Sequence, residues 1–208
     1  MQAVPVLAAM LEARKPGWLA AARAQDIAVA CASAARALGK DALQVSAAER
    51  DRLASAGVSW AIDHWSNDEL GRVVLLLGAS EAVVRQAFFR GDNRERRAVL
   101  DALPLRADAA QLVDLAVEAC RTNVVDVFCA IACENPFPSR HFAEPAFNQM
   151  VMKAIFLDVS VARILGLAPR VTRELVRMAT DYAAERRAAG RPVPTDVSFL
   201  DALAGGAT

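Results

Sequence analysis

Three observations make the sequence an all-α one. Hydrophobic residues form 55% of the chain but aromatic residues only 6%, with a heavy load of alanine and leucine. Strands draw on β-branched and aromatic side chains, and helices on this mixture. Capped helix starts recur along the chain. Ser46 precedes Glu49, Ser66 precedes Glu69, Asp92 precedes Glu95 and Asp108 precedes Gln111, each at the three-residue spacing of a capping box or a close variant. The stops are equally legible, with Gly57, Gly78, Gly91, Pro104 and Asn123 near the ends of the intervening runs. Helices of this length joined by short turns fold back on one another. The expected architecture is therefore stacked antiparallel helical hairpins, as a HEAT-like α-solenoid or a compact helical bundle. The length of 208 residues fits one all-helical domain. It would comprise an N-terminal helical segment (1–45), hairpins (46–133), and a loop with C-terminal helices (134–204).

In chain order, residues 3–39 read as helix, interrupted near Lys15-Pro16-Gly17 and ended by Gly39. Trp18, Leu19, Ala22, Ile27, Ala30, Cys31, Ala34 and Leu38 approximate one apolar face. Runs at 67–77 and 80–90, then 93–103 and 108–121, form two expected hairpins, with Ser80 and Thr122 as simple N-caps. The predicted core there includes Leu70, Val73, Val74, Leu77, Val84, Phe88, Val99, Leu100, Leu112, Leu115 and Val125. A short helical piece near 161–165 and a break at 166–169 precede a helix from Thr172 to Ala189, with Leu175, Met178, Ala179, Tyr182 and Ala183 inward. Thr195 or Asp196 caps a last helix to Leu203, and residues 205–208 are expected to fray.

Lys+Arg and Asp+Glu both total 24, so no net field draws the chain to nucleic acid or an anionic membrane. The start of the chain is apolar but lacks a basic stretch, and Glu12, Arg14 and Lys15 follow it, which argues against a secretory signal. With no apolar run long enough to span a bilayer, the expected location is the cytoplasm. Four cysteines in helical contexts suit reduced thiols.

The stretch Glu134-Asn-Pro-Phe-Pro-Ser-Arg-His-Phe142 and the helix from Glu144 to Leu157 stand apart. Pro136 and Pro138 predict an extended backbone, because proline fixes φ, lacks a donor and disfavours helix before it. Pro145 suits a first helical turn, and Phe147, Met150, Val151, Ala154 and Ile155 make a core face. Packing alone does not require Asn135, Arg140, His141, Asn148, Gln149 and Lys153 to cluster here. They are the expected polar contacts of a ligand- or partner-binding site, with Phe137, Phe142, Met152 and Phe156 lining an apolar pocket. The competing structural reading has Asn135 capping a helix end and Arg140 and Lys153 pairing with Glu134, Glu144 or Asp158.

Asn135-Pro136-Phe137-Pro138, Arg140, Phe142, Phe147-Asn148-Gln149-Met150-Val151, Lys153-Ala154, Arg177-Met178, Tyr182-Ala183 and the run Glu185 to Pro194 resemble the C-terminal signature of the EboA family. These are small bacterial proteins associated with metabolite traffic, named from a gene cluster linked to export of secondary-metabolite precursors. The resemblance implies a biological context, metabolite traffic, more than a mechanism; within it the expected role is non-catalytic binding or scaffolding, with a small metabolite or proteins of the same cluster as partners. It implies no catalytic residues.

Other chemistries leave weaker signatures. Cys129 and Cys133 lie four apart with Asp126, Cys120 and His141 nearby in sequence, outside the usual zinc-knuckle spacings. Core burial of these thiols is the expectation, and neither metal nor cofactor is expected. Cys133 with His141 is the one nucleophile–base pair close in sequence, without a supporting motif. His64, between Trp60 and Trp65, reads as a core-bordering residue, and no glycine-rich phosphate loop is present. Arg85, Arg90, Arg94, Arg96 and Arg97 interleave with Glu81, Asp92, Glu95 and Asp101, which reads as a solvated face with i,i+4 pairs. A helical-repeat nucleic-acid binder and a metal-dependent or Cys/His enzyme remain the class-distinct alternatives.

Overall fold

The computed structural model describes residues 2–205, so the last three residues of the tail expected to fray lie outside the described residues. These residues hold thirteen α-helices and short 3-10 turns. The one β-type pairing among them is an isolated bridge between Ala42 and Ser66. The all-α expectation holds. The chain falls into two compact units, 1–131 and 132–208.

The first unit begins with α1 (Ala3–Arg14), α2 (Trp18–Arg23) and α3 (Ile27–Leu38). The break at Lys15-Pro16-Gly17 is as expected, and Gly17 has φ +76°. A second break at residues 24–26 was not foreseen. There the Asp26 carboxylate accepts from the amides of Ala28 and Val29 and restarts the helix. Next come α4 (Ala47–Ser55), α5 (Asn67–Leu77), α6 (Glu81–Arg90) and α7 (Asn93–Ala102). Complete capping boxes open α4, α5 and α7, from Ser46/Glu49, Ser66/Glu69 and Asp92/Glu95, and Ser80 caps α6 through the Val83 amide. Asp108 departs from expectation. The Arg106 guanidinium takes both of its oxygens at 2.7 Å, so no cap forms. The chain makes a 3-10 turn (Ala109–Leu112) before α8 (Val113–Ala119). Helix α9 (Val125–Ala132) runs to the end of the unit. The predicted core residues are buried except Val125, which is 43% exposed on the first turn of α9.

Helix α5 organises this unit. Every residue of it except Asn67 is buried, as befits a helix with partners on all sides. Those partners are chiefly α3 and α7, with α1 and α2, whereas α6 packs mainly on α7. The hairpin pairing of 67–77 with 80–90 is thus not the main contact, because α5 needs more apolar cover than one neighbour supplies. Gly71 permits the close approach. A Cβ there would lie 2.3 Å from Leu38 Cδ1 and 3.1 Å from the Trp18 ring.

Charges are buried inside this unit. The Asp68 carboxylate, with no exposed surface, bonds the guanidinium groups of Arg72 and Arg94, and Ser66 Oγ donates to it at 2.7 Å. Arg72 Nε also donates to the Cys31 carbonyl at 2.9 Å, stitching α5 to α3. Glu69 pairs with Arg97 at 2.8 Å. Asp101 lies 3.7 Å from His64 Nε2. Arg106 donates to the Leu76 and Ala79 carbonyls at the end of α5, satisfying groups a helix leaves unpaired. Arg94 and Arg97 are therefore pulled inward by α5 and do not lie on a solvated face. Only Arg85 makes the expected i,i+4 pair, with Glu81, and it adds Asp114.

The second unit contains α10 (Phe137–His141), α11 (Glu144–Phe156), α12 (Arg173–Ala188) and α13 (Thr195–Gly205). Helix α12 packs on α11 and on α13. Leu175, Ala179 and Ala183 form its buried stripe, while Met178 and Tyr182 sit half-buried beside it.

Candidate functional site

The stretch expected to be extended is a short helix. Asn135 Oδ1 accepts from the Phe137 amide at 2.9 Å, and Pro136 adopts helical angles, φ −78° and ψ −5°. Both prolines then fall at the start of α10, where a missing N–H costs nothing. Two prolines in the interior of a helix would break it, but at the start of one they favour it.

Helix α10 is held from behind. Glu134 sits at φ +49°, a left-handed conformation that costs a non-glycine residue energy. Two contacts fix it there: its amide donates to the Arg163 carbonyl at 2.9 Å, and Arg163 grips its carboxylate with two bonds of 2.8 Å. Arg170 donates to the carbonyls of Ser139 and Phe142, both at 2.8 Å, while its guanidinium lies 4.4 Å from the centre of the Phe147 ring. Gly166, at φ +71°, lets the 3-10 segment pass over Ser139, where a Cβ would meet Ser139 Cβ at 2.7 Å. Arg163 and Arg170 carry no signal in the sequence, and Gly166 marks only the break at 166–169. Their targets are mostly backbone groups about 30 residues away, and no local spacing marks such contacts.

The expected site residues divide by depth. Asn135, Phe137, Phe142 and Asn148 are buried. The rings of Phe137 and Phe142 meet edge to face at 6.2 Å, and His141 lies against Phe137 at 4.6 Å. Burial, and then the charge of Arg140, pull the His141 pKa below its ordinary value, so its imidazole is neutral at pH 7. Asn148 faces inward, and its Oδ1 has no hydrogen-bond partner. Arg140 and Gln149 are exposed, and His141 and Lys153 half-buried. Phe156 is 71% exposed. Phe137 and Phe142 are thus spent on the core while Phe156 is out in solvent. The Glu134 carboxylate is taken by Arg163 and is not left to Arg140 or Lys153.

Cys133 is buried, and Cys120 and Cys129 are half-buried. Among the described residues, no three His, Cys, Asp or Glu side chains are grouped to hold a metal ion, and no helix is long and apolar enough to cross a membrane.

Fold and site together define a class: an all-helical protein whose buried polar groups fix backbone and helix ends, with an outward polar face on a braced helix. The chain belongs to the EboA family, described as metabolite traffic protein EboA, which matches residues 7–200. The match takes in the N-terminal helices, where no motif had been recognised. No curated protein and no solved structure matches the chain.

Proposed function

We propose that this chain is a non-catalytic binding or scaffold protein in metabolite traffic, serving export of a secondary-metabolite precursor from the cytoplasm, and that it engages a partner protein of the same gene cluster through the outer side of α10 and α11. The observation that carries this is the exposure of Phe156. It shares an i, i+4, i+7 stripe with Gln149 and Lys153, and an exposed aromatic beside polar groups is the usual anchor of an interface. The brace of Arg163 and Arg170 keeps that stripe preformed, which lowers the ordering cost of binding.

The test is the double substitution Gln149→Glu with Phe156→Asp, both at exposed positions. The melting temperature should hold, since exposed positions shift stability by roughly 0.5 kcal/mol at most, while transport of the host metabolite is lost. Full transport by a folded double variant would overturn the reading.

A further inference from the structure

A second site lies in the first unit, between α3 and the far end of α6. The cavity there measures about 540 Å³, within the range of small-molecule pockets. Its floor and walls are Ile27, Ala28, Cys31 and Ala32 from α3 and Val83 and Ala87 from α6. Alanines make the space. Where Ala28, Ala32 and Ala87 stand, longer side chains would fill it. Polar groups occupy the rim, and they are unequal. Asp26 is committed to the amides of Ala28 and Val29, and Glu95 to the Asp92 amide at 2.8 Å. Both carboxylates are thus offset by helix N-termini. Arg90 is the one cation of the lining, and its guanidinium has no hydrogen bond or ion pair among the described residues. Gln86, one turn before Arg90 on the same face, presents an amide that is likewise uncommitted.

We infer that this cavity binds a small amphipathic carboxylate, its apolar body against Ile27, Ala32, Val83 and Ala87 and its head on Arg90 and Gln86. A guanidinium offers a carboxylate two parallel bonds, and the alanine walls offer only apolar contact. Binding is non-covalent. Burial pushes the Cys31 thiol up to about 12, so it stays protonated and unreactive. The site belongs to the first unit and is tested without the α10–α11 face.

Calorimetric titration with decanoate, decan-1-ol and decylammonium tests this directly. Decanoate should bind, the alcohol on the order of tenfold more weakly, and the cation not detectably, since one charge-assisted contact is worth roughly a factor of ten or more. Arg90→Ala should bring decanoate down to the affinity of the alcohol. Ala32→Phe should abolish binding of both at an unchanged melting temperature, because Ala32 is exposed at the cavity wall. No decanoate binding by the native chain, equal binding of decanoate and decylammonium, or binding that survives Ala32→Phe would each overturn the inference.

Discussion

The two units solve the same problem, fixing helices of unlike direction, with opposite chemistry. Among the described residues, every buried charged side chain belongs to the first unit: Glu49, Asp68, Glu69, Arg72, Asp101 and Arg106. In the second unit the buried polar side chains are two amides, Asn135 and Asn148. There Arg163 holds the Glu134 carboxylate and Arg170 two carbonyls from the margin, and Arg177 pairs with Glu174 and Asp181 on the surface. Buried ions are costly unless every member is paired, whereas amides bonded to backbone carry no charge to titrate. The first unit should therefore fail sharply on loss of one charge and respond to the titration of its buried carboxylates, while the second should fail locally and has no buried carboxylate to titrate among the described residues.

The sharpest break of that contrast is Asp68→Ala. It leaves the buried Arg72 charge with the Cys31 carbonyl but without its counter-ion, and removing one member of a buried pair costs roughly 3–5 kcal/mol. Urea unfolding monitored by hydrogen exchange should show α5 and α7 losing protection while α12 keeps its own. Equal loss in both units would mean that they do not differ in this way.

Protons give the next largest effect. Burial pushes the Asp101 carboxyl up to about 6, and His64 and Arg97 only partly offset that while Glu69 adds to it. A folded pKa above the unfolded value near 3.9 means the folded state holds the proton more tightly. The associated stability is present in full below about pH 4 and is lost as pH rises through 6, amounting to about 3 kcal/mol by pH 8. Asp101→Asn should accordingly stabilise the protein at pH 8 and leave it unchanged at pH 4. Glu49 runs the other way. A hydrogen bond from Arg14, at 2.7 Å, is the largest cause lowering its carboxyl to about 2, so its contribution is present above about 4.5 and lost as pH falls. Thermal melts of the native chain, of Asp101→Asn across pH 4–8 and of Glu49→Gln across pH 2–6 check both signs.

Arg170→Ala sharpens the comparison from the other side. Two backbone carbonyls lose their donor and Phe147 its stacked cation, a loss of about 2 kcal/mol at one hydrogen bond's worth each. Exchange of amides 137–142 should quicken while α5 keeps the protection it has in the native chain at the same pH.

What the sequence made legible follows the range of the interactions. Capping boxes span three residues, so Ser46, Ser66 and Asp92 could be read directly, and α5 came out with its observed ends. The Asp68–Arg72 pair is also local, but at i,i+4 it looks like any surface pair. Its burial depends on Arg94 and on the Cys31 carbonyl 41 residues away, and nothing local reports that. Asp26 was hidden among alanines that continue a helix as readily as they end one. In the second unit, position and type alone could not separate inward Asn148 from outward Gln149, its neighbour. Phe156, expected among the residues lining an apolar pocket, stands 71% exposed, because apolarity alone does not report burial and single exposed apolar residues are common.

The smallest expected effect compares two asparagines of similar burial in the second unit, Asn135 at 4% and Asn148 at 2% exposure. Asn135 Oδ1 holds the Phe137 amide and so carries the start of α10. Asn135→Ala removes a helix cap, worth roughly 0.5–2 kcal/mol, and strands a buried donor besides. Asn148 Oδ1 already lacks a partner, and its desolvation is a cost the folded state bears. Removing a group that bonds nothing relieves roughly 1–3 kcal/mol of penalty, against which stands the small cavity that the lost side chain leaves. The two nearly cancel, so Asn148→Ala should lie within about 1 kcal/mol of the native chain or slightly above it in stability. Paired urea titrations of the two variants decide the matter. A larger loss for Asn148→Ala than for Asn135→Ala would show that the Asn148 amide is the one holding structure, and that α11, not α10, is where the second unit hides its polar keystone.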